Sequence, residues 1–252
     1  MAEKPAKSEE KSRRLRERIA LSLPVKVYGR ETLQHDWTEM SRLVDVTPFG
    51  ARLRITRPTE VGRLLLLTMA MPRQLRCFDH VEDQYRVWSL VRNVKLLDPA
   101  ANKGALLEIG VAFVGKRPPR SFEIDPRRRY EIAQSSVEAG LWSVREEAGR
   151  LLSEVSTTDK RKETRHTIPI EVLIEVFDDK QGVSASEKTV TENISTQGAA
   201  VFTSLDLSPG QFVNVSSEIY GVKALAVVRS RRVGPEGIPR LHLEFIGSEW
   251  PL

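Results

Sequence analysis

The chain has one cysteine, Cys77, so no disulfide can form within it. Its four histidines, His35, His80, His166 and His242, are scattered without ligand spacing, and a metal site has no support. Long apolar runs are also missing. The longest candidate, residues 61–71, is interrupted by Gly62 and Arg63 and is far shorter than the roughly 18 residues that cross a bilayer, so no membrane insertion is expected. No Gly-rich phosphate loop, Gly-x-Ser-x-Gly elbow or His-Glu-x-x-His occurs, and no acid/base pair or nucleophile constellation can be placed at a shared site. These absences argue against an enzyme and against a bound cofactor. The first dozen residues, MAEKPAKSEEKS, are charged and lack the apolar core of a secretory signal; residues 1–12 read as a disordered tail, and the expected location is the cytoplasm. There the sequon Asn193-Ile194-Ser195 meets no glycosylation machinery, so that stretch needs another explanation.

What is present is ordinary globular composition, 40% hydrophobic and 29% charged, in a chain of 252 residues, long enough for two domains. The net charge of +5 favours an anionic partner without naming it. Laid against itself, the chain repeats. Arg14-x-x-x-Arg18 falls on Arg161-x-x-x-Arg165 at an offset of 147 (161 minus 14), and Leu23-Pro-Val-Lys-Val27 falls on Ile168-Pro-Ile-Glu-Val172. Asp45-Val-Thr47-Pro-Phe-Gly50-Ala51 falls on Asn193-Ile-Ser195-Thr-Gln-Gly198-Ala199 at 148 (193 minus 45). Near the ends the offset drops to 132 (Phe245 minus Phe113), so the first copy carries about 16 extra residues, assigned to residues 73–85 and 98–104. The period far exceeds the roughly 20 to 50 residues of stacked arrays, so the repeat is a tandem duplication of domains.

In the second copy, apolar and β-branched runs at residues 168–177, 188–194, 199–203, 212–219, 222–233 and 240–246 are separated by Gly- and Pro-bearing turns. Six short strands at this spacing predict a closed antiparallel barrel without exposed edges, and the first copy repeats the scheme. Between the copies, Asp125-Pro126 opens a predicted helix running toward Val155, because Val137, Leu141, Val144, Ala148, Leu151 and Val155 step by 4, 3, 4, 3 and 4 residues. Its apolar face is expected to pack on the first barrel, with a dimer-forming coiled coil as the alternative. The expected class is mainly β, two six-stranded barrels joined by a long α-helix: first domain 13–124, linker helix 125–156, second domain 157–252. Arg127-Arg128-Arg129 reads as a solvated basic run at the helix start. Arg229 and Arg231 read as one solvated outer face of a strand, with Arg232 on the other.

Arg-x-x-x-Arg, about 28 residues, Asp/Asn-x-Ser-x-x-Gly opening a strand, then a closing strand with Phe: this order, found twice, resembles the PilZ family of bacterial cyclic di-GMP receptors. The resemblance spans residues 13–122 and 161–252. It implies a cyclic di-GMP ligand and a site in each copy: Arg161, Arg165, Asn193, Ser195 and Gly198 in the second, and Arg14, Arg18, Asp45, Thr47 and Gly50 in the first. The chemistry is consistent with the ligand. A guanidinium binds phosphate or the O6/N7 edge of guanine through two donors, and a carboxylate or amide pairs with guanine's polar edge. The first copy departs from the pattern at Thr47, followed by Pro48. A downstream protein is the other expected partner. The alternatives are a scaffold in which the first or both copies bind no ligand, and a nucleic-acid-binding regulator using the basic amino-terminal arm.

Overall fold

The computed structural model describes residues 18–98, 106–133, 142–147, 165–177, 182–234 and 237–252. Arg14, Arg161, the proposed tail and Val137, Leu141, Ala148, Leu151 and Val155 of the predicted seam lie outside these residues.

The first barrel is built from β1 (Pro24–Arg30), β2 (Asp36–Thr47), β3 (Gly50–Ile55), β4 (Leu64–Met69), β5 (Tyr85–Asp98) and β6 (Leu106–Gly115). All pairings are antiparallel in the order β1-β2-β3-β6-β5-β4, and β4 returns to β1 to close the ring. Alternation explains the closure: in β1, Val25 and Val27 are fully buried while Pro24 and Lys26 face out. Most of the extra residues of this copy form the long connection between β4 and β5, which includes a 3-10 turn at Arg73–Leu75.

The segment after the first barrel corrects the long helix. Only α1 (Arg120–Ile124) is helical among the described residues, and the chain then forms a two-stranded ribbon, β7 (Tyr130–Ile132) with β8 (Val144–Glu146). Phe122 and Tyr130 cover Leu64 and Leu90, two buried side chains on the outer wall of the first barrel, and Val144 packs on the same cluster. Val144 therefore meets the first barrel as expected, but as a strand residue. Each ribbon strand gains cross-strand pairing and barrel contact, where an isolated helix in water would depend on its own short-range bonds.

The second barrel repeats the first with β9 (Glu171–Phe177), β10 (Val183–Ser195), β11 (Gly198–Phe202), β12 (Phe212–Ser217), β13 (Val222–Val233) and β14 (Pro239–Ile246). Its closed order, β10-β11-β14-β13-β12-β9, is that of the first barrel strand for strand. The duplication reaches polar detail at the barrel surface. Glu39 accepts hydrogen bonds from Thr56 N, Thr56 Oγ1 and Arg57 N, and Glu187, 148 residues later (187 minus 39), accepts them from Ser204 N, Ser204 Oγ and Leu205 N. Burial would raise the Glu187 carboxyl, but the donors of Thr203, Ser204 and Leu205 hold it below its ordinary value.

The barrels pack side by side. Phe212, Leu225, Val227 and Ile246 of the second barrel join the same apolar cluster as the first-barrel core. The sequence reason is local: residues 224–228 of β13 are apolar without alternation, so this strand is buried on its barrel face and on its outer face. Gly62 and Gly210 occupy matching turns at φ +92° and +95°, and a Cβ at either would meet Arg129 or Arg127 of the intervening segment.

An ionic cluster lies beside the apolar contact. Arg229 of β13 donates to Glu60 of the first barrel, Nη1 to Oε1 at 3.0 Å, and to Glu244 of β14, Nε to Oε2 at 2.7 Å. Arg129 Nη1 donates to the same Glu60 at 3.2 Å. Arg63, fully enclosed nearby, donates through Nη2 to Glu31 O at 3.1 Å and lies over the Phe212 ring. Arg229 and the Arg127–Arg129 run are thus not solvated faces. Arg229 sits where the β13–β14 ladder slips between Val228 and Ser230, and that bulge turns it toward the first barrel. Arg127 pairs with Asp125 at 2.8 Å and Arg128 with Glu146. Burial would raise the Glu60 carboxyl, but Arg229, Arg63 and Arg129 outweigh it and hold it low. Burial would likewise lower the Arg229 guanidinium, and Glu60 and Glu244 raise it instead.

Candidate functional site

In both copies the segment bearing the second arginine is tied to the same place. His166 exchanges two backbone hydrogen bonds with Ile194, N to O at 2.7 Å and O to N at 2.9 Å, and Ile19 does so with Val46 at 2.9 Å each way. Ile194 lies between Asn193 and Ser195, and Val46 between Asp45 and Thr47. One bridge therefore brings the end of Arg-x-x-x-Arg onto the polar turn. In the second copy the Thr191 hydroxyl strengthens this lead-in, donating to Ile168 O at 2.6 Å and accepting from Ile170 N at 2.9 Å.

The polar residue before the bridge is displaced by a bulge. The ladder slips between Thr191 and Asn193 in β10 and between Leu43 and Asp45 in β2. Asn193 then accepts a hydrogen bond from exposed Arg165, Nη1 to Oδ1 at 3.1 Å. In the first copy Arg18 Nη1 stands 3.5 Å from Asp45 Oδ2.

The hydroxyl and the glycine have equivalent geometry in both copies. Ser195 Oγ donates to Gly198 O at 3.4 Å, and Thr47 Oγ1 donates to Gly50 O at 3.3 Å. Threonine thus substitutes for serine in closing the turn, and its methyl leaves the bond intact. A Cβ on Gly198 would overlap Leu243 O, and one on Gly50 would overlap Val111 O. Both glycines are needed for close strand approach, and neither has a positive φ.

The copies differ two residues beyond the glycine. Arg52 faces Asp45 across the β2–β3 ladder, and Ala200 faces Asn193 across β10–β11. Arg52 donates to Asp45 Oδ2 from Nε at 2.8 Å and pairs through Nη2 at 2.5 Å, while its Nη1 donates to Glu108 at 3.1 Å. The hydrogen bond to Asp45 raises the Arg52 guanidinium above its ordinary value. The long β4–β5 connection also reaches this turn: Cys77 Sγ donates to Pro48 O at 2.5 Å. Neither Arg52 nor Cys77 was singled out from sequence for this site; the repeat alignment, which sets Arg52 against Ala200, held the signal for the first.

Beside the second turn lies an open depression of about 510 Å³, lined by Gln197, Glu244, Phe245, Gly247, Ser248 and Glu249. Its Glu244 is the residue paired with Gly198 in the β11–β14 ladder and held by Arg229. A smaller cavity of about 260 Å³ lies on residues 171–173, 188–190, 216, 218 and 219 and includes none of the motif residues. Of the four tryptophans, Trp37 and Trp250 are buried and Trp88 packs edge-on to Phe122, which fits packing anchors. Among the described residues no group of three or more His, Cys, Asp or Glu is placed to hold a metal ion, and no helix is long and apolar enough to cross a membrane.

The chain is thus a double-barrel β protein in which an arginine-bearing lead segment is fastened to a polar, glycine-closed turn. Residues 159–249, the second barrel with its lead segment, match the PilZ domain family model. No curated protein matches it. Among solved structures it is similar to the Bacillus subtilis inhibitor of motility MotI/DgrA, at 13% identity over 90% of this chain and 88% of that one, with a TM-score of 0.30. It is also similar to the Borreliella burgdorferi PlzA protein in complex with c-di-GMP, at 12% identity over 93% and 89%, TM-score 0.29. A third is Escherichia coli YcgR in complex with c-di-GMP, at 11% identity over 89% and 76%, TM-score 0.29.

Proposed function

We propose that the chain is a non-catalytic cytoplasmic receptor for cyclic di-GMP that binds at the second barrel. The supporting observation is the Arg165–Asn193 contact at 3.1 Å, made within the segment that matches the PilZ domain. In this reading Arg161 and Arg165 clamp phosphate and guanine, Asn193 pairs with the polar edge of the base, Ser195 keeps the turn closed, and Gly198 holds β11 against β14. Arginine suits the task because its planar fork meets phosphate or the guanine O6/N7 edge with two donors at once. Adenine in the same pocket would strand the donors and acceptors fitted to guanine, at about 1 to 3 kcal/mol for each unmet buried group, so cyclic di-AMP binds poorly.

Ligand capture also carries a signal. Gly198 pairs in register with Glu244, and Glu244 shares Arg229 with Glu60 of the first barrel. Drawing the arginine-bearing segment onto the ligand biases this cluster and with it the arrangement of the barrels. A downstream protein reads that arrangement.

Calorimetric titration with cyclic di-GMP, cyclic di-AMP and GTP tests the proposal. Selective binding of cyclic di-GMP, lost in Arg161→Ala/Arg165→Ala, is the expected result; unchanged affinity in that variant removes the second-barrel site. The scaffold reading is favoured for the first barrel by the hold that Arg52 has on Asp45.

A further inference from the structure

Both barrels carry the lead-segment bridge, the bulge, the closing hydroxyl and the close-approach glycine in matching geometry. A difference in ligand binding between them must come from what differs on this framework. At the polar residue itself that difference is Arg52 against Ala200, each facing its Asp45 or Asn193 across the ladder.

Guanine would offer a carboxylate at Asp45 two adjacent N–H donors, N1–H and the exocyclic amine. Arg52 already places two donors of one planar group on Asp45 Oδ2, one of the two oxygens guanine would need, with Nε at 2.8 Å and Nη2 at 2.5 Å, and Arg18 Nη1 faces the same oxygen at 3.5 Å. The guanidinium keeps its charge at any accessible pH, so the pairing is charge-assisted. Its remaining arm is held by Glu108. The position equivalent to Glu108 in the second barrel is Arg240, which donates to Glu192 at 2.8 Å and lies over Phe202, and Ala200 has no side chain that can reach the Asn193 amide.

We infer that Arg52 is the residue that sets the ligand count: it holds Asp45 Oδ2, one of the two oxygens that guanine's N1–H and amine would share, from within the chain, so cyclic di-GMP binds at the second barrel and not at the first. The inference rests on the proposed receptor function and adds to it a specificity-determining residue and a site number. The first barrel keeps the motif as a self-satisfied structural turn and serves as the docking partner that carries Glu60.

The test is calorimetry on the full chain with cyclic di-GMP, for the wild type, Arg161→Ala/Arg165→Ala, and that double variant with Arg52→Ala added. Arg52 is a half-exposed side chain on an outer strand face, so its removal leaves the core intact, and circular dichroism melting checks this. The wild type should show one class of site, the double variant none, and the triple variant a new site at least about tenfold tighter than any residual binding in the double. Lysine at position 52 keeps the charge without the fork and should restore less binding than alanine. Ligand retained by the double variant, or a folded triple variant that gains none, overturns the inference while leaving the receptor function standing. No binding by the wild type overturns both.

Discussion

Arg229 of the second barrel donates to Glu60 of the first at 3.0 Å, across 169 residues of sequence, and Glu60 is almost wholly enclosed. A buried pair of this kind adds little net stability over an apolar replacement, but removing one partner alone strands the other charges. Arg63, Arg129 and Arg229 all act on Glu60, and Arg229 and Arg129 have Glu244 and Glu147 as second partners. Glu60→Ala should therefore cost about 3 to 5 kcal/mol at the inter-barrel contact. Urea unfolding is expected to separate into two transitions as the barrels lose their coupling, and a single unshifted transition would show that the cluster does not join them.

The same cluster predicts how stability depends on pH. Glu60 and Glu187 both have carboxyls held below the ordinary value of 4.5, the first by three arginines and the second by its hydrogen-bond donors, in each case against the opposing effect of burial. A carboxyl depressed in the folded state contributes stability that is present above its unfolded pKa and is lost as pH falls through the folded one. Unfolding midpoints should hold steady from neutral pH to about 5 and fall steeply below about 4.5. Glu60→Gln, which keeps the shape and removes the titration, should flatten part of that fall; an unchanged slope would take Glu60 out of the acid response.

How these features were or were not legible in the sequence follows from the range of the forces behind them. A strand with one face in the core shows as alternation, and residues 171–177 of β9 display it cleanly. Arg165 and Asn193 were legible as parts of one motif because a 28-residue separation joins two local signals, but their contact with each other was not. The linker was misread at residues 130–132 and 144–146, where two short strands, not a helix, bring Ile132 and Val144 against the outside of the first barrel. A three-residue strand is too short to show a period of its own. Arg229 was misread because alternation assigns its face only while the ladder keeps register, and the bulge at Val228/Ser230 breaks it.

The glycines separate stability from ligand binding. Gly198→Ala and Gly50→Ala each force a methyl into a neighbouring backbone carbonyl, and overpacking of this kind costs about 1 to 3 kcal/mol. Thermal melts should show similar losses for both. Cyclic di-GMP affinity should fall in Gly198→Ala and stay at the wild-type level in Gly50→Ala, since only the first lies in the proposed site. Equal loss of affinity in the two variants would count against a single-site receptor.

Arg165 and Asn193 offer the sharpest measure of how the site is prepared before ligand arrives. Arg165 is exposed, and an exposed side-chain contact of this type contributes under about 1 kcal/mol to folding, so Arg165→Ala should leave the melting temperature almost unchanged. Its effect belongs to binding. If Arg165 contacts the ligand directly, Arg165→Ala and Asn193→Ala should each weaken cyclic di-GMP by about tenfold or more, and the double variant should lose close to the sum of the two free energies. If Arg165 acts only by orienting the Asn193 amide, the second substitution adds almost nothing to the first. A double-mutant cycle by calorimetry distinguishes these cases, and additivity is the outcome expected of a guanidinium that clamps the ligand itself.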